Sequence, residues 1–222
     1  MTAPFVLAVV SLKGGVGKST TAVNLAVAAA LDDRQSALMD LNWNQQTTTH
    51  WWNRRTTTPP HLVDLSAMSA TDITTGLDVA RANGCDYIVL DCPPDGGSVV
   101  EQAITCANFV LIPCPPSFID VEAAAGTSQL TARVGRKGGF VVTKSRVQGR
   151  GEEAGRALAS SYKLPVAPVV ITELIIYQDS MAMGQGVLEY SGDAATTHKA
   201  RKQISRLYDW INQRIAKKDA LT

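Results

Sequence analysis

Lys13-Gly14-Gly15-Val16-Gly17-Lys18-Ser19-Thr20 follows the apolar run FVLAVV (5–10) and opens into the apolar stretch AVNLAVAAAL (22–31). Glycines let the backbone fold closely around an anion, so that several N–H groups point inward. The helix that follows adds the positive end of its dipole. Strand, glycine-rich turn and helix in this order predict a phosphate-binding loop, in which Lys18 reaches the β and γ phosphates and the Ser19 hydroxyl ligates Mg²⁺. The strict G-x-x-x-x-G-K-[ST] pattern is not met. Leu12 stands where its first glycine would be, and a second lysine, Lys13, opens the loop.

Outward from the loop, the runs SALMD (36–40), YIVLD (87–91), FVLIP (109–113), FVVT (140–143) and VAPVVI (166–171) are short, β-branched and nearly continuous. Strands buried on both faces of a parallel sheet have this composition. Stretches of helical length lie between most of them, at 18–31, roughly 70–83, 97–107, 117–134 and 150–162. The expected fold is α/β: a single doubly wound, mainly parallel sheet with helices on both faces. Ser69 with Asp72 and Ser117 with Asp120 have the spacing of capping boxes. A last helix, about Ala194 to Ala216, carries Ile204, Leu207, Tyr208, Ile211 and Ile215 at helical spacing and is expected to lie on the sheet by that stripe. No repeat or long linker divides the chain, so residues 1–222 are expected to form one domain, with 41–60 as an extended polar loop region.

The chain has 222 residues, 45% hydrophobic and 18% charged, with a formal net charge of +1. That is the composition of a globular protein, neither disordered nor fibrous. No uncharged apolar run approaches the roughly 20 residues of a membrane-spanning helix. Residues 1–10 lack the basic segment of a secretory signal, and the mature chain is expected to start at or near Met1. Cys85, Cys92, Cys106 and Cys114 lack CxxC spacing and are expected to be free thiols in a reducing cytoplasm. His50, His61 and His198 have no spacing partner for a metal.

Two aspartates end strands beside the loop. Asp91, before Cys92-Pro93-Pro94, sits where Mg²⁺ needs an anchor held through water. Asp40 is followed by Leu41-Asn42-Trp43-Asn44-Gln45.

The K-G-G-x-G-K-[ST] loop resembles that of the deviant Walker A ATPases, the ParA and MinD partitioning and positioning proteins. The resemblance implies a P-loop NTPase fold, ATP/ADP and Mg²⁺ as ligands, and Lys13, Gly14, Gly15, Val16, Gly17, Lys18, Ser19 and Thr20 as the nucleotide cradle. It also implies an ATP-dependent sandwich homodimer in which Lys13 reaches the partner's phosphates, with an adaptor protein that stimulates hydrolysis. Asp91 resembles the family's Walker B aspartate, and Asp40 joins Ser19 and Asp91 as the expected Mg²⁺ residues. The family's usual D-x-D-P-Q places a second aspartate where this chain has Asn42. An amide holds a water but cannot accept its proton. Lys13, Lys18, Asp40 and Asn42 are therefore the expected catalytic set, with either slow hydrolysis or an ATP-bound dimer that turns over very little. Thr143 and Lys144 end a strand where relatives often place an asparagine for adenine.

From Ala123 to Gly151 there is no acidic residue, while Arg133, Arg136, Lys137, Lys144, Arg146 and Arg150 fall in that span. The C-terminal helix adds Lys199, Arg201 and Lys202, then Arg206, Arg214, Lys217 and Lys218. Such clusters are often plain solvated faces. They also suit sequence-independent contact with nucleic-acid phosphates, and resemblance to ParA proteins favours nonspecific DNA, with Arg133, Arg136, Lys137, Lys199, Arg201 and Lys202 as contacts and a nucleoid-associated, cytoplasmic location. The alternative partner, an anionic membrane met by the terminal helix as in MinD proteins, ranks below core packing of that helix. His50-Trp51-Trp52-Asn53-Arg54-Arg55 forms either a partner surface or a cover for the sheet edge. Val187-Leu188-Glu189 resembles a family V-x-E segment. An iron–sulfur role would need the paired CxxC that the chain lacks, though spacing alone leaves open isolated cysteines bridging a dimer.

Overall fold

A computed structural model describes residues 3–65, 72–146 and 149–216. Its strands are β1 (Phe5–Val9), β2 (Ser36–Asp40), β3 (His61–Val63), β4 (Tyr87–Asp91), β5 (Phe109–Cys114), β6 (Gly138–Ser145) and β7 (Val166–Thr172). Its helices are α1 (Lys18–Leu31), α2 (Thr47–Trp52), α3 (Ile73–Ala82), α4 (Gly97–Cys106), α5 (Phe118–Arg133), α6 (Arg150–Ser161), α7 (Ile176–Ala182) and α8 (Ala194–Ala216). Among the described residues the strands form one seven-stranded sheet, in the order β3-β2-β4-β1-β5-β6-β7, and every pairing is parallel.

The sheet's two faces carry separate apolar clusters because successive strand side chains point to opposite sides. One face packs Leu7, Val9, Val89 and Leu111 with α1 and α8; the other packs Ala8, Val10, Leu90 and Ile112 with α3, α4, α5 and α6. The direction of the chain across the sheet reverses at β1, which is flanked by β4 and β5. The crevice outside the carboxyl ends of strands at such a reversal is where α/β sheets bind ligands. The phosphate loop, Asp40 and Asp91 all lie at strand ends on this side.

The stripe on α8 faces inward as the spacing predicts: Ile204, Leu207, Tyr208 and Ile211 are buried, and Ile215 is packed against the same cluster. Trp210 is buried as well, edge-on to Phe109 at 5.8 Å between ring centroids, with the Arg214 guanidinium over its ring. The apolar face that a membrane would need is occupied by the core. No described helix is long and apolar enough to cross a membrane.

The expectation of an extended polar loop over 41–60 is corrected. This stretch contains α2, and the short β3 after it adds an edge strand to β2. Trp51 is buried and donates from Nε1 to the Gln185 carbonyl at 3.1 Å, and Trp52 is half-buried beside it. The pair therefore covers the sheet rather than presenting a surface. Ser117 caps α5 by accepting from Asp120 N at 3.1 Å, and Asp72 caps α3 by accepting from Thr74 N at 3.0 Å. Ser69, the other half of the second expected capping box, lies outside the described residues, as do Lys217 and Lys218.

Candidate nucleotide site

The loop is built around two glycines in the left-handed region, Gly15 (φ 72) and Gly17 (φ 94), the latter the N-cap of α1. A Cβ at either would meet nothing within 4 Å. Space is thus left on the concave side, while the backbone conformation favours glycine. Val16 is buried, and its carbonyl accepts from Thr143 Oγ1 at 2.8 Å, which pins the loop to the end of β6. Leu12 explains its own departure from the glycine pattern. Its methyl carbons lie where side chains at Gly96 and Gly126 would stand, 3.3 and 3.1 Å from their ideal Cβ positions, and its N–H donates to Thr127 Oγ1.

Lys18 is buried, its Nζ donating to the Lys13 carbonyl at 3.1 Å. Burial lowers the pKa of its ammonium, and the nearby charge of Asp91 is the largest influence opposing that. Asp91 is fully buried, and burial first, then the charge of Asp40, pushes its carboxyl up to about 6. The hydroxyls of Ser19 and Thr48 and the charge of Lys18 act the other way. Thr48 Oγ1 donates to Asp91 Oδ2 at 2.7 Å, whereas Asp91 Oδ1 has no hydrogen-bond partner. A buried carboxylate oxygen left without a donor, beside the hydroxyl that opens α1, fits a hydrated divalent cation. Among the described residues no cluster of three or more His, Cys, Asp or Glu side chains could hold a metal. A cation at this place would therefore lean on Ser19, Asp91 through water, and phosphate oxygens.

Asp40 is held by hydrogen bonds at the end of β2. Its Oδ1 accepts from Asn42 N at 3.0 Å and its Oδ2 from Thr49 N and Oγ1 at 2.9 and 3.1 Å. Three donors converge on this carboxylate, which anchors the segment entering α2. The Asn42 amide is buried and donates from Nδ2 to Gln45 Oε1 at 3.0 Å. The threonines of α2 thus matter more than the sequence indicated: Thr48 reaches Asp91 and Thr49 reaches Asp40, linking both aspartates to one short helix.

Lys13 is held within its own chain, Nζ 2.5 Å from Asp120 Oδ1 at the start of α5. Phe118 and Ile119 beside it are exposed. Lys144 is exposed with φ 53, a left-handed conformation unusual for lysine. Cys92 and Cys114 are buried, their thiols pushed up by burial, Cys114 to about 12. They behave as small apolar side chains rather than thiolate ligands.

Two buried links tie the site to the C-terminal region. Asn24 of α1 donates to the Thr20 carbonyl at 2.8 Å and accepts from Val187 N at 2.8 Å. Arg55, just beyond α2, makes a bidentate pair with Glu189, at 2.8 and 2.6 Å. The basic residues expected on DNA are divided. Arg136, Lys137, Lys199 and Lys202 are exposed, and Arg133 is paired with Glu101. Arg201 is turned inward, donating from Nε to the Val187 carbonyl at 3.1 Å and from Nη2 to the Tyr190 carbonyl at 2.9 Å, and is corrected from a contact to a structural residue.

Residues 5–158 match the family described as ATPase MipZ. The chain belongs to this family of ATPases. Among curated relatives, the maintenance of carboxysome distribution protein A of Halothiobacillus neapolitanus is 27% identical, over 83% of this chain and 87% of its own. The chromosome partitioning protein ParA of Caulobacter vibrioides is 26% identical, over 92% of this chain and 95% of its own. The fold is that of the cell division ATPase MinD of Pyrococcus furiosus, with a TM-score of 0.74 at 17% identity over 94% of this chain and 98% of that one. It is also that of Cyanothece McdA in complex with ATP, with a TM-score of 0.70 at 17% identity over 96% and 98%. The family match covers β1 to α6 and so includes the phosphate loop, Asp40, Asp91 and Lys144.

Proposed function

We propose that the chain is a ParA-type positioning ATPase: ATP with Mg²⁺ binds at the phosphate loop, two chains close face to face, and the dimer holds nonspecific DNA until slow, adaptor-stimulated hydrolysis releases it. The partnerless Asp91 Oδ1, buried beside Lys18 and Ser19 at an open glycine loop, is the observation that carries this reading. ATP supplies the phosphoryl group that is transferred to water. Lys18 supplies fixed positive charge, Ser19 and Asp91 hold the hydrated cation, and Asp40 positions the segment that carries Asn42. Phosphoryl transfer depends mainly on positioning and charge stabilisation. Asn42 orients a water without taking its proton, which makes hydrolysis slow. Exposed Arg136, Lys137, Lys199 and Lys202 supply salt-sensitive contacts to DNA phosphates.

Gel filtration with ADP, ATP and a slowly hydrolysed analogue tests the switch. The wild type is expected to dimerise with ATP and the analogue, and Lys13→Gln to stay monomeric; a wild type that stays monomeric with ATP sinks the reading. The amide at Asn42 also favours a second reading, an ATP-locked dimer with almost no turnover. Phosphate release with and without DNA separates the two, and Asn42→Asp should raise the rate severalfold.

The Lys13–Asp120 pair adds a prediction. Closing on a second chain requires Lys13 to leave Asp120, and a partly exposed ion pair is worth about 1 kcal/mol or less. Both chains lose this pair on closing, so Asp120→Asn should strengthen ATP-dependent dimerisation by up to about fivefold per chain, or about thirtyfold in the dimer constant, read by light scattering across a concentration series. Weaker dimerisation in that variant would mean that Asp120 serves the dimer instead of restraining it.

A further inference from the structure

The open edge of the sheet carries a feature unrelated to the nucleotide. Among the described residues, strand β7 has β6 on one side and no strand on the other, and α6 and α8 cover its two faces. Between those helices runs a groove of about 1000 Å³ along the length of β7. Its floor is apolar, with Val166 and Val170, and its walls are cationic. Arg156 stands on α6; Lys199, Lys202 and Arg206, at i, i+3 and i+7, share one face of α8. None of the four makes an ion pair among the described residues. Of the two acids lining the groove, Glu173 is committed to Arg146, which leaves Glu152 against four cations.

An exposed sheet edge ordinarily recruits another strand. Here that route is closed. Pro168, exposed midway along β7, has no N–H to give, and the register with β6 shifts on both sides of Val142. Gln203 of α8 occupies Thr172, accepting from its N–H at 3.4 Å and donating to its Oγ1 at 2.9 Å. What remains is a concave apolar floor between positive walls. Seven residues of strand span about 23 Å, the length of about 15 helical residues.

We infer that this groove docks an acidic amphipathic helix of a partner protein, its apolar face on Val166 and Val170 and its carboxylates against Arg156, Lys202 and Arg206. Helix-in-groove recognition needs an apolar seat, and the charges on both walls fix the sign of the flanks. Duplex DNA would use the same cations but not the recessed floor.

The test is fluorescence anisotropy on the full chain with three labelled probes: a synthetic peptide with leucines on one helical face and glutamates on the flanks, a scrambled peptide of identical composition, and a short DNA duplex. The ordered peptide should bind at least about tenfold more tightly than the scrambled one. Arg156→Glu and Arg206→Glu, on opposite walls, should each weaken it about tenfold. Ala159→Trp, at an exposed position lining the groove, obstructs it without changing charge and should weaken peptide binding about tenfold while leaving the duplex unaffected. Circular dichroism checks that each variant is folded. Equal binding of the scrambled peptide overturns the inference. So does peptide binding untouched by Ala159→Trp, or charge reversals that release the duplex and spare the peptide.

Discussion

Lys18→Ala is expected to remove nucleotide binding while leaving a folded chain. The ammonium is buried, and a β- or γ-phosphate brought to the loop would lose the fixed cation nearest to it. Truncating one partner of a desolvated charge pair costs about 3 kcal/mol or more, which is more than about a hundredfold in Kd. A second consequence is internal. Lys18 is one of the influences that lower the Asp91 pKa, against burial and Asp40. Without it two buried carboxylates face each other uncompensated, so Asp91 should take up a proton at higher pH and Mg²⁺ should be bound more weakly even with excess nucleotide. Calorimetric titration of ATP with and without Mg²⁺ measures both. Wild-type affinity in Lys18→Ala would mean that the glycine loop does not hold the phosphates.

Much of this site was legible because its signals are local. A glycine loop between an apolar strand and an apolar helix, and aspartates at strand ends, depend on residues within a few positions of one another. The six strands seen in the sequence are short apolar runs that occur where composition placed them, buried on both faces except at β7, where Pro168 is exposed and Val166 and Val170 are half-buried. Helix α2 was hidden for the opposite reason. Thr47, Thr48 and Thr49 have no apolar period and poor helix propensity, and their helix is held by Asp40 and Asp91, side chains of two different strands. Likewise, nothing near Lys13 indicates Asp120, far along the chain, as its ion-pair partner. Arg201 looks like its exposed neighbours Lys199 and Lys202 until the carbonyls of Val187 and Tyr190 are in place to accept from it. Side-chain chemistry set by distant backbone is the part that a linear pattern does not carry.

Asp91→Asn should stabilise the nucleotide-free chain near neutral pH, lose that advantage in acid, and weaken the Mg²⁺ effect on binding. Asp91 is raised from its ordinary value of 3.8 to about 6, by burial first and by Asp40 second. A carboxyl whose pKa is higher in the folded chain binds its proton more tightly there. Relative to neutral pH it therefore adds stability below about pH 4, loses that contribution as pH rises to about 6, and is a constant cost above that range. Two pH units correspond to about 3 kcal/mol, and the new amide's own unpartnered polar group returns about 1–2 kcal/mol of this. That return is the same at every pH. The unfolding free energy of the variant minus that of the wild type should consequently grow by about 3 kcal/mol from pH 4 to pH 6 and then level off, as read from urea titrations at each pH. Because the variant retains an acceptor for Thr48 Oγ1, this slope reports charge rather than a broken contact. The charge costs stability in the empty chain because its use is to hold a hydrated cation. Replacing such a water-mediated anchor typically costs about 10–100-fold in metal-dependent affinity, so the gain in ATP affinity on adding Mg²⁺ should shrink by at least about tenfold. A wild-type Mg²⁺ response together with the expected pH-dependent difference would separate the two roles and leave Asp91 as a buried acid without a cation to serve.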